Sequence, residues 1–480
     1  MGMAVENAMR DTVKLYDAQP YAREFDATVV FAEPGKEPGT VRVALDATLF
    51  FPEEGGQTPD RGVLAGFPVV DVQLETVLAG RSEGTEEAAH APEDAKALKE
   101  SGEACRVIVH LVDVRQEQAL LPDAEEGAAA RTSAEDVLTT GDSVTQNALQ
   151  EEIRTAISTV LAPGQGVHGT LDWQHRYSNM QNHSGEHILS GLLHSIWGYE
   201  NVGFRLSENT VTLDTGGMLT PEEVVLLEQK ANEAVWRNAV IRCEYPAREE
   251  LEAMDYRSKK AIDGPIRIVT IDGVDVCACC APHVARTGEI GMIKILSAEK
   301  NRNATRLTIA CGDRALRMMQ TYQQQLEQAS RLMNEPRETA AAGIRRLLEE
   351  IQGLKSACTE RELQYAEMLF HQVESEFGKD ENLTGKDIFL FEESLSNLPQ
   401  RTLMNRLCEM GWRYAGVFVG NEEAGWRYLI GSRSADARIP NKALRDSLGA
   451  KGGGKPEMVQ GTVMGERSAV EAAMWNCLDR

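Results

Sequence analysis

The sequence predicts a multidomain α+β protein, and three observations predict it. Short runs of alternating polar and apolar residues fill the stretch from Thr12 to Leu64; helical periodicity mixes with strand-like runs from Ser178 to Gly312; a long block of helix formers then precedes a last set of strands. At 480 residues the chain exceeds one core, and roughly 150 residues per domain suggests about three units.

Composition narrows the class. A hydrophobic fraction of 42% with 26% charged residues is that of a globular protein rather than a disordered one. No apolar run approaches the roughly 18 to 20 residues of a membrane span, and MGMAVENAMRDTVKLYD lacks the apolar core of a secretory signal, so a cytoplasmic location with no membrane partner is expected. Nine cysteines, an odd number with Cys277, Cys279 and Cys280 crowded together, argue for free thiols and metals over a disulfide framework. The formal charge of −24 argues against bulk attraction to nucleic acid, so any such binding must rest on local basic groups.

The elements follow in order. ATVVFAE and TVRVALDATLFF read as strands of a small β-barrel, 1–170, with PEEGGQTPDRG as a glycine-rich loop before GFPVVDVQLETV. Between Arg81 and Val160 acidic residues outnumber basic ones by about ten, and 81–165 is read as an acidic insertion that contains a strand, CRVIVHLVDV, and a helix from Gln146 to Leu161. In 171–311, SNMQNHSGEHILSGLLHSIWG is helical from Ser178 and stops at Gly198; TPEEVVLLEQKANEAVWRNA is a second helix with a Thr220 cap and Pro221 at its first position. IRIVTI, IGMIKILSAEK and RLTIACG complete an α+β domain. The block 312–384 reads as a coiled coil or helical hairpin broken near Pro336, and a candidate self-association element. A small α/β domain, 385–480, closes the chain with the loop GAKGGGKPEMVQG.

His183 and His187 lie four apart on one helix, so both imidazoles leave the same face. Cys279 and His283, with three residues between, follow on a turn. Two imidazoles, a thiolate and a third imidazole suit tetrahedral zinc. Cys277 and Cys280 flank Cys279 and are alternative sulfurs; His194 is a candidate for supporting a ligand, and Glu186 for a general base. A closed four-ligand set is the usual form of structural zinc, so a module with a purely structural metal is the competing expectation. Gly55 and Gly56 let backbone approach a ligand closely, and Gln57 offers a donor and an acceptor. Lys451, Gly452, Gly453, Gly454 and Lys455 form a flexible basic loop suited to phosphate, with Arg433, Lys442 and Arg445 nearby.

In order along the chain, KLYDAQPYAREFDATVV, LFFPEEGGQTPDRG, MQNHSGEHILSGLLH, NVGF, ANEAVWRN, DYRSKKAIDGPIRIV, CACCAPHVARTGEIGMIKILSAEK and GGGKPEMVQG resemble the long AlaX-type alanyl-tRNA editing proteins. That family is similar to the editing and C-terminal parts of alanyl-tRNA synthetase. The resemblance implies an aminoacyl-tRNA deacylase that frees the alanine tRNA of a wrong amino acid, serine or glycine, with zinc held by His183, His187, Cys279 and His283. It implies substrate contacts at Gly55, Gly56, Gln57 and Glu186, and a C-terminal DHH-associated domain that grips tRNA through Lys451 to Lys455. Departures are visible: Glu54 stands where the family has a third glycine, Ala281 and Pro282 where it has Gly-Thr, and Glu186 where the synthetase has threonine. No DHH motif precedes the last domain, and no length is left for an aminoacylation core, so editing without charging is expected.

Overall fold

The computed structural model describes residues 10–78, 104–115, 143–258, 265–378 and 383–478. The chain forms two compact units, Met1–Gln323 and Gln324–Arg480. Much of the acidic sequence in 81–165 lies outside the described residues.

The first unit begins with β1 (Val13–Lys14), β2 (Glu24–Pro34), β3 (Thr40–Leu45), β4 (Ala47–Thr48), β5 (Gly62–Leu64), β6 (Phe67–Leu78), β7 (Ala104–Asp113) and β8 (Gly166–Leu171). Six of them pair in the order β2-β3-β7-β6-β5-β8, and β2 pairs again with β8, so the order returns on itself. Val41, Val43, Leu45, Phe50, Phe51, Val72 and Leu171 are buried in the core of this layer. Within the stretch read as an insertion, β7 pairs on both sides, with β3 and β6, and α1 (Ser143–Ser158) sends Ile153 and Ala156 into the same core. These parts belong to the scaffold because their apolar alternation supplies its interior.

The helix α2 (Trp173–Trp197), which carries His183 and His187, starts five residues earlier than Ser178, because Asp172 caps it by accepting from the His175 N–H at 3.0 Å. Gly198, in the left-handed region, ends it. β9 (Asn201–Leu206), β10 (Val211–Thr215), β14 (Ile293–Asn301) and β15 (Ala304–Cys311) form a sheet in the order β14-β15-β10-β9. α3 (Pro221–Trp236) has the expected Thr220 cap, closed by Glu223 into a capping box. β11 (Ile241–Glu244), α4 (Arg248–Ala253), β12 (Ile268–Ile271) and β13 (Asp275–Ala278) follow, the three strands pairing in sequence order. Two glycines let α2 pack closely. A Cβ on Gly185 would lie 2.3 Å from Cys311 Sγ, and one on Gly191 2.2 Å from the Val274 carbonyl oxygen. The second approach carries His187 to β13.

α5 (Gly312–Met333) runs from the first unit into the second, and α6 (Ala340–Phe377) follows the break at Pro336. In the second unit Ala366, Phe370 and Val373 of α6 pack with Leu403 and Leu407 of α7 (Asn397–Met410). β16 (Asp387–Glu392), β17 (Tyr414–Asn421), β18 (Gly425–Gly431), β19 (Lys451–Lys455) and β20 (Met458–Val463) form a sheet in the order β16-β17-β18-β20-β19, with α8 (Arg438–Leu448) and α9 (Arg467–Leu478). The expected GGG loop is thus an edge strand. A Cβ on Gly452 would sit 2.5 Å from Tyr428 Oη, so its glycine serves close packing rather than loop freedom. Among the described residues no helix is long and apolar enough to cross a membrane.

Candidate metal centre and its cavity

The structure brings His183, His187, Cys279 and His283 together, with one donor atom from each lying within 4.8 Å of the others. All four are inside the first unit. Cys279 Sγ lies 3.5 Å from His183 Nε2 and 3.4 Å from His283 Nε2. The opposite ring nitrogens are each occupied. His183 Nδ1 donates to Gln57 Oε1 at 2.7 Å, His187 Nδ1 to Asp275 Oδ2 at 2.8 Å, and His283 Nδ1 lies 3.0 Å from Ser184 Oγ. A proton held on Nδ1 leaves the Nε2 lone pair free to point at a metal.

Electrostatics agree with that assignment. Burial acts to push the Cys279 thiol up, but the His183 and His283 imidazoles hold it well below the usual thiol range, favouring thiolate. Burial pushes His283 down to about 3, which keeps it neutral. For His187 burial acts downward, but the hydrogen bond to Asp275 and the Cys279 sulfur outweigh it and raise the group. A thiolate at Cys279 beside a neutral His283 fits a borderline-soft divalent ion, whereas His187 favours its protonated form and would have to release that proton to bind one. His187 also forms a group with Asp275 and Cys277, but there Asp275 is already paired to Arg257 at 2.8 Å.

A cavity of about 1360 Å³ opens over this centre. Gly55, Gly56, His183, His187 and Cys279 line it, facing Phe204, Tyr245, Arg257 and Arg267. Gly55 and Gly56 adopt φ of 65° and 83°, and a Cβ on Gly56 would lie 2.7 Å from the Phe204 carbonyl oxygen. Glycine is required there. Gln57 is buried and reaches the site through His183 rather than as a cavity wall. Of the flanking sulfurs, Cys277 lies on the Asp275 side and Cys280 lines the cavity beside Gly55, 3.6 Å from where that residue's Cβ would be.

Two expectations for α2 turn out otherwise. His194 pairs with Glu200 at 2.6 Å, half-exposed and apart from the ligands, because eleven residues along a helix of 3.6 per turn carry it three turns away. Glu186 is buried but accepts from Ser190 Oγ and Asn201 Nδ2, and is not a cavity wall. In the second unit Lys451 and Lys455 are exposed at the ends of β19, while Arg433 pairs with Glu409 at 2.7 Å.

Sequence reading missed several supports. Asp275, Cys277 and Cys279 alternate along β13 and its exit, so period two would have placed Asp275 on the sulfur's face. Arg267 Nη1 donates to the carbonyl oxygens of Cys279 at 3.1 Å and Ala281 at 2.7 Å, bracing the ligand turn. Arg176 and Asp60, both fully buried, join α2 to the glycine-rich loop through Nε bonds of 3.0 and 2.9 Å. No local pattern marks these pairs, since their partners are remote in sequence.

The first unit thus combines a ring of strands and an α+β layer with three imidazoles and a thiolate grouped as a metal site would need them, beside a cavity. The family model described as the threonyl and alanyl tRNA synthetase second additional domain matches residues 266–308, the segment that delivers Cys279 and His283. Alanyl-tRNA editing protein AlaX-L of Pyrococcus horikoshii is 28% identical over 309 residues, 64% of this chain and 59% of its own length. Alanyl-tRNA editing protein Aarsd1 of Danio rerio is 28% identical over 313 residues, 62% of this chain and 58% of its own. Alanine–tRNA ligase of Pyrococcus furiosus is 27% identical over 475 residues, 96% of this chain but 43% of the ligase. The chain is a homologue of the AlaX-type alanyl-tRNA editing proteins, and it spans 43 to 59% of the length of these three relatives.

Proposed function

We propose that the protein is a trans-editing hydrolase that deacylates mischarged alanine tRNA, Ser-tRNA first and Gly-tRNA second, at a zinc-containing site. The observation that carries the reading is the convergence of His183, His187, Cys279 and His283, the first three of which line a cavity together with Gly55 and Gly56. Bound zinc supplies Lewis acidity or a fixed anchor for the terminal ribose. The chain's own residues do the rest. Gln57, Asp275 and Ser184 fix the imidazole orientations, Arg267 holds the ligand turn, and the glycine backbone admits the 3′ end at close range.

Segments 1–170, 171–311, 312–384 and 385–480 are read as barrel, editing domain, helical linker and DHH-associated domain. The last would grip the tRNA backbone through Lys451 to Lys455, whose edge strand leaves alternate N–H groups free of β20. Local contacts of this kind are how a chain of charge −24 holds phosphate. The closed donor set favours one rival, a tRNA-binding module with a structural zinc. Incubation with Ser-tRNA that bears the alanine identity element separates the two. Deacylation well above the spontaneous rate is expected, and a rate equal to the spontaneous one assigns the protein to the rival.

A further inference from the structure

Four carboxylates line the cavity: Asp11, Asp17, Glu54 and Glu200. Three have close partners. Asp11 Oδ1 accepts from the Arg106 N–H at 2.7 Å. Asp17 Oδ2 accepts from the Tyr245 hydroxyl at 2.8 Å, and its other oxygen lies 3.5 Å from Arg267 Nε. Glu200 pairs with His194 at 2.6 Å and reaches Arg257 at 3.9 Å. Asp17 Oδ1 makes no hydrogen bond among the described residues, but Asp17 keeps the Tyr245 hydroxyl on its other oxygen. Glu54 has only an ion pair: its Oε1 stands 3.8 Å from Arg106 Nη2, beyond hydrogen-bond range, and its Oε2 is buried with no hydrogen-bond partner among the described residues. Outside the cavity lining, the Tyr16 hydroxyl and Gln57 Nε2 are buried and likewise without hydrogen-bond partners among the described residues.

A buried carboxylate oxygen without a donor is costly, and a donor arriving with a ligand removes that cost. Position says which donor. Glu54 lies three residues before Gln57, which bonds the ligand His183, and the intervening Gly55 stands beside Cys280, the neighbour of the ligand Cys279. An aminoacyl ester seated over the metal centre carries one cationic group, the α-ammonium, close to its carbonyl. A charge-assisted bond between ammonium and carboxylate is the strong form of such a contact.

We propose that Glu54 receives the α-ammonium group of the aminoacyl ester and thereby orients its carbonyl toward the metal centre. The inference rests on the deacylase reading and goes beyond it, since it makes a free amine a condition of productive binding. N-blocked aminoacyl esters are poor substrates on this account, whatever their side chain.

The test compares seryl-tRNA with N-acetyl-seryl-tRNA on the full chain and on Glu54→Gln, which keeps the side chain's shape and removes its charge. The intact protein is expected to favour the free amine by about tenfold or more in kcat/KM, the scale of one hydrogen bond to a charged group. Glu54→Gln should narrow the preference to about threefold or less with its metal content unchanged. Equal rates on both substrates with the intact protein overturn the proposal. So does a Glu54→Gln variant that keeps the preference, or one that loses both substrates equally while retaining metal. If the intact protein hydrolyses neither, the deacylase reading fails, and calorimetry decides the Glu54 role separately. The probes are then the 3′-amide analogue of seryl-adenosine and its N-acetyl form: tighter binding of the free amine, abolished by Glu54→Gln, supports it, and equal binding overturns it.

Discussion

Two helices of this protein invert each other's economy of polar and apolar groups. α2 hides Arg176, Asn179, Gln181, Asn182, His183, Glu186 and His187 from solvent, while α6 leaves Ile344, Leu348, Ile351 and Leu354 exposed. Burying polar groups costs free energy unless each finds a partner, and in α2 the partners are supplied one by one from remote elements. Exposing an apolar stripe gives up the burial that stabilises most helices. The first helix trades stability for placement of chemistry; the second retains a surface able to meet another.

The largest effect should come from the centre that α2 is built to serve. Cys279→Ala removes the thiolate from a four-donor set, so metal content by mass spectrometry or atomic absorption should fall from about one per chain to near zero, taking deacylation with it. Full retention would transfer the ligand role to Cys277 or Cys280. Next in size is the buried Arg176–Asp60 pair. Arg176→Met leaves Asp60, among the described residues, with only the Phe51 N–H as a donor, and denaturant unfolding should show a loss of about 3 to 5 kcal/mol. The double variant Arg176→Met, Asp60→Leu should recover much of that stability while binding metal less tightly, because Gln57 and His183 are then no longer held in register. Restored stability with unchanged metal affinity would break the claim that α2 spends stability on placement.

A buried polar group in the strand layer gives a smaller effect. His110 Nδ1–H donates to the Val43 carbonyl oxygen at 3.0 Å, and Nε2 accepts from the Thr48 hydroxyl at 2.9 Å. Burial pushes its pKa down to about 4 from an ordinary 6.5. Between these values the unfolded chain holds a proton that the folded chain lacks. The stability contribution is therefore complete above pH 6.5 and falls as the pH drops toward 4, by about 3 kcal/mol in all. His110→Gln should flatten that part of the stability profile between pH 7 and 4; an unchanged slope would assign it to other groups.

How much of this was legible in the sequence follows from the same contrast. The grouping of His183, His187, Cys279 and His283 could be read because a metal site would need particular residue types at short spacings on a helix and a turn. Capping residues Thr220 and Gly198 were legible for the same local reason. Asp275, Arg267, and the pair Arg176 and Asp60 were not, because their roles exist only when distant segments meet. GGG at 452–454 was misread as a loop since glycine signals both conformational freedom and close packing, and only the remote neighbours Tyr428 and β20, pressed against Gly452 and Gly454, decide between them. The strand and the helix within 81–165 were legible, but read as parts of an insertion; that they belong to the scaffold was not, because the pairing of β7 with β3 and β6 exists only when distant segments meet.

The last prediction concerns the exposed stripe of α6, where the expected change in the folded chain itself is smallest. Ile344, Leu347, Ile351 and Leu354 recur at intervals of three, four and three, the spacing of alternate a and d positions in a coiled coil. Each is exposed, Leu354 at 64%. α6 is buried on either side of this stretch, at Ala340 and Gly343 before it and at Ala366, Phe370 and Val373 after it, while the seam between them stays exposed. A second copy of the same seam is the partner that this heptad pattern fits. Sedimentation should show mass rising toward the dimer with concentration, and Leu347→Glu with Leu354→Glu should hold the chain at monomer by setting like charges across the seam. Because both side chains face solvent in the single chain, unfolding stability under monomeric conditions should change by no more than about 0.5 kcal/mol. A monomer at every concentration would leave the stripe as surface alone, and a dimer indifferent to both substitutions would place the interface on another face.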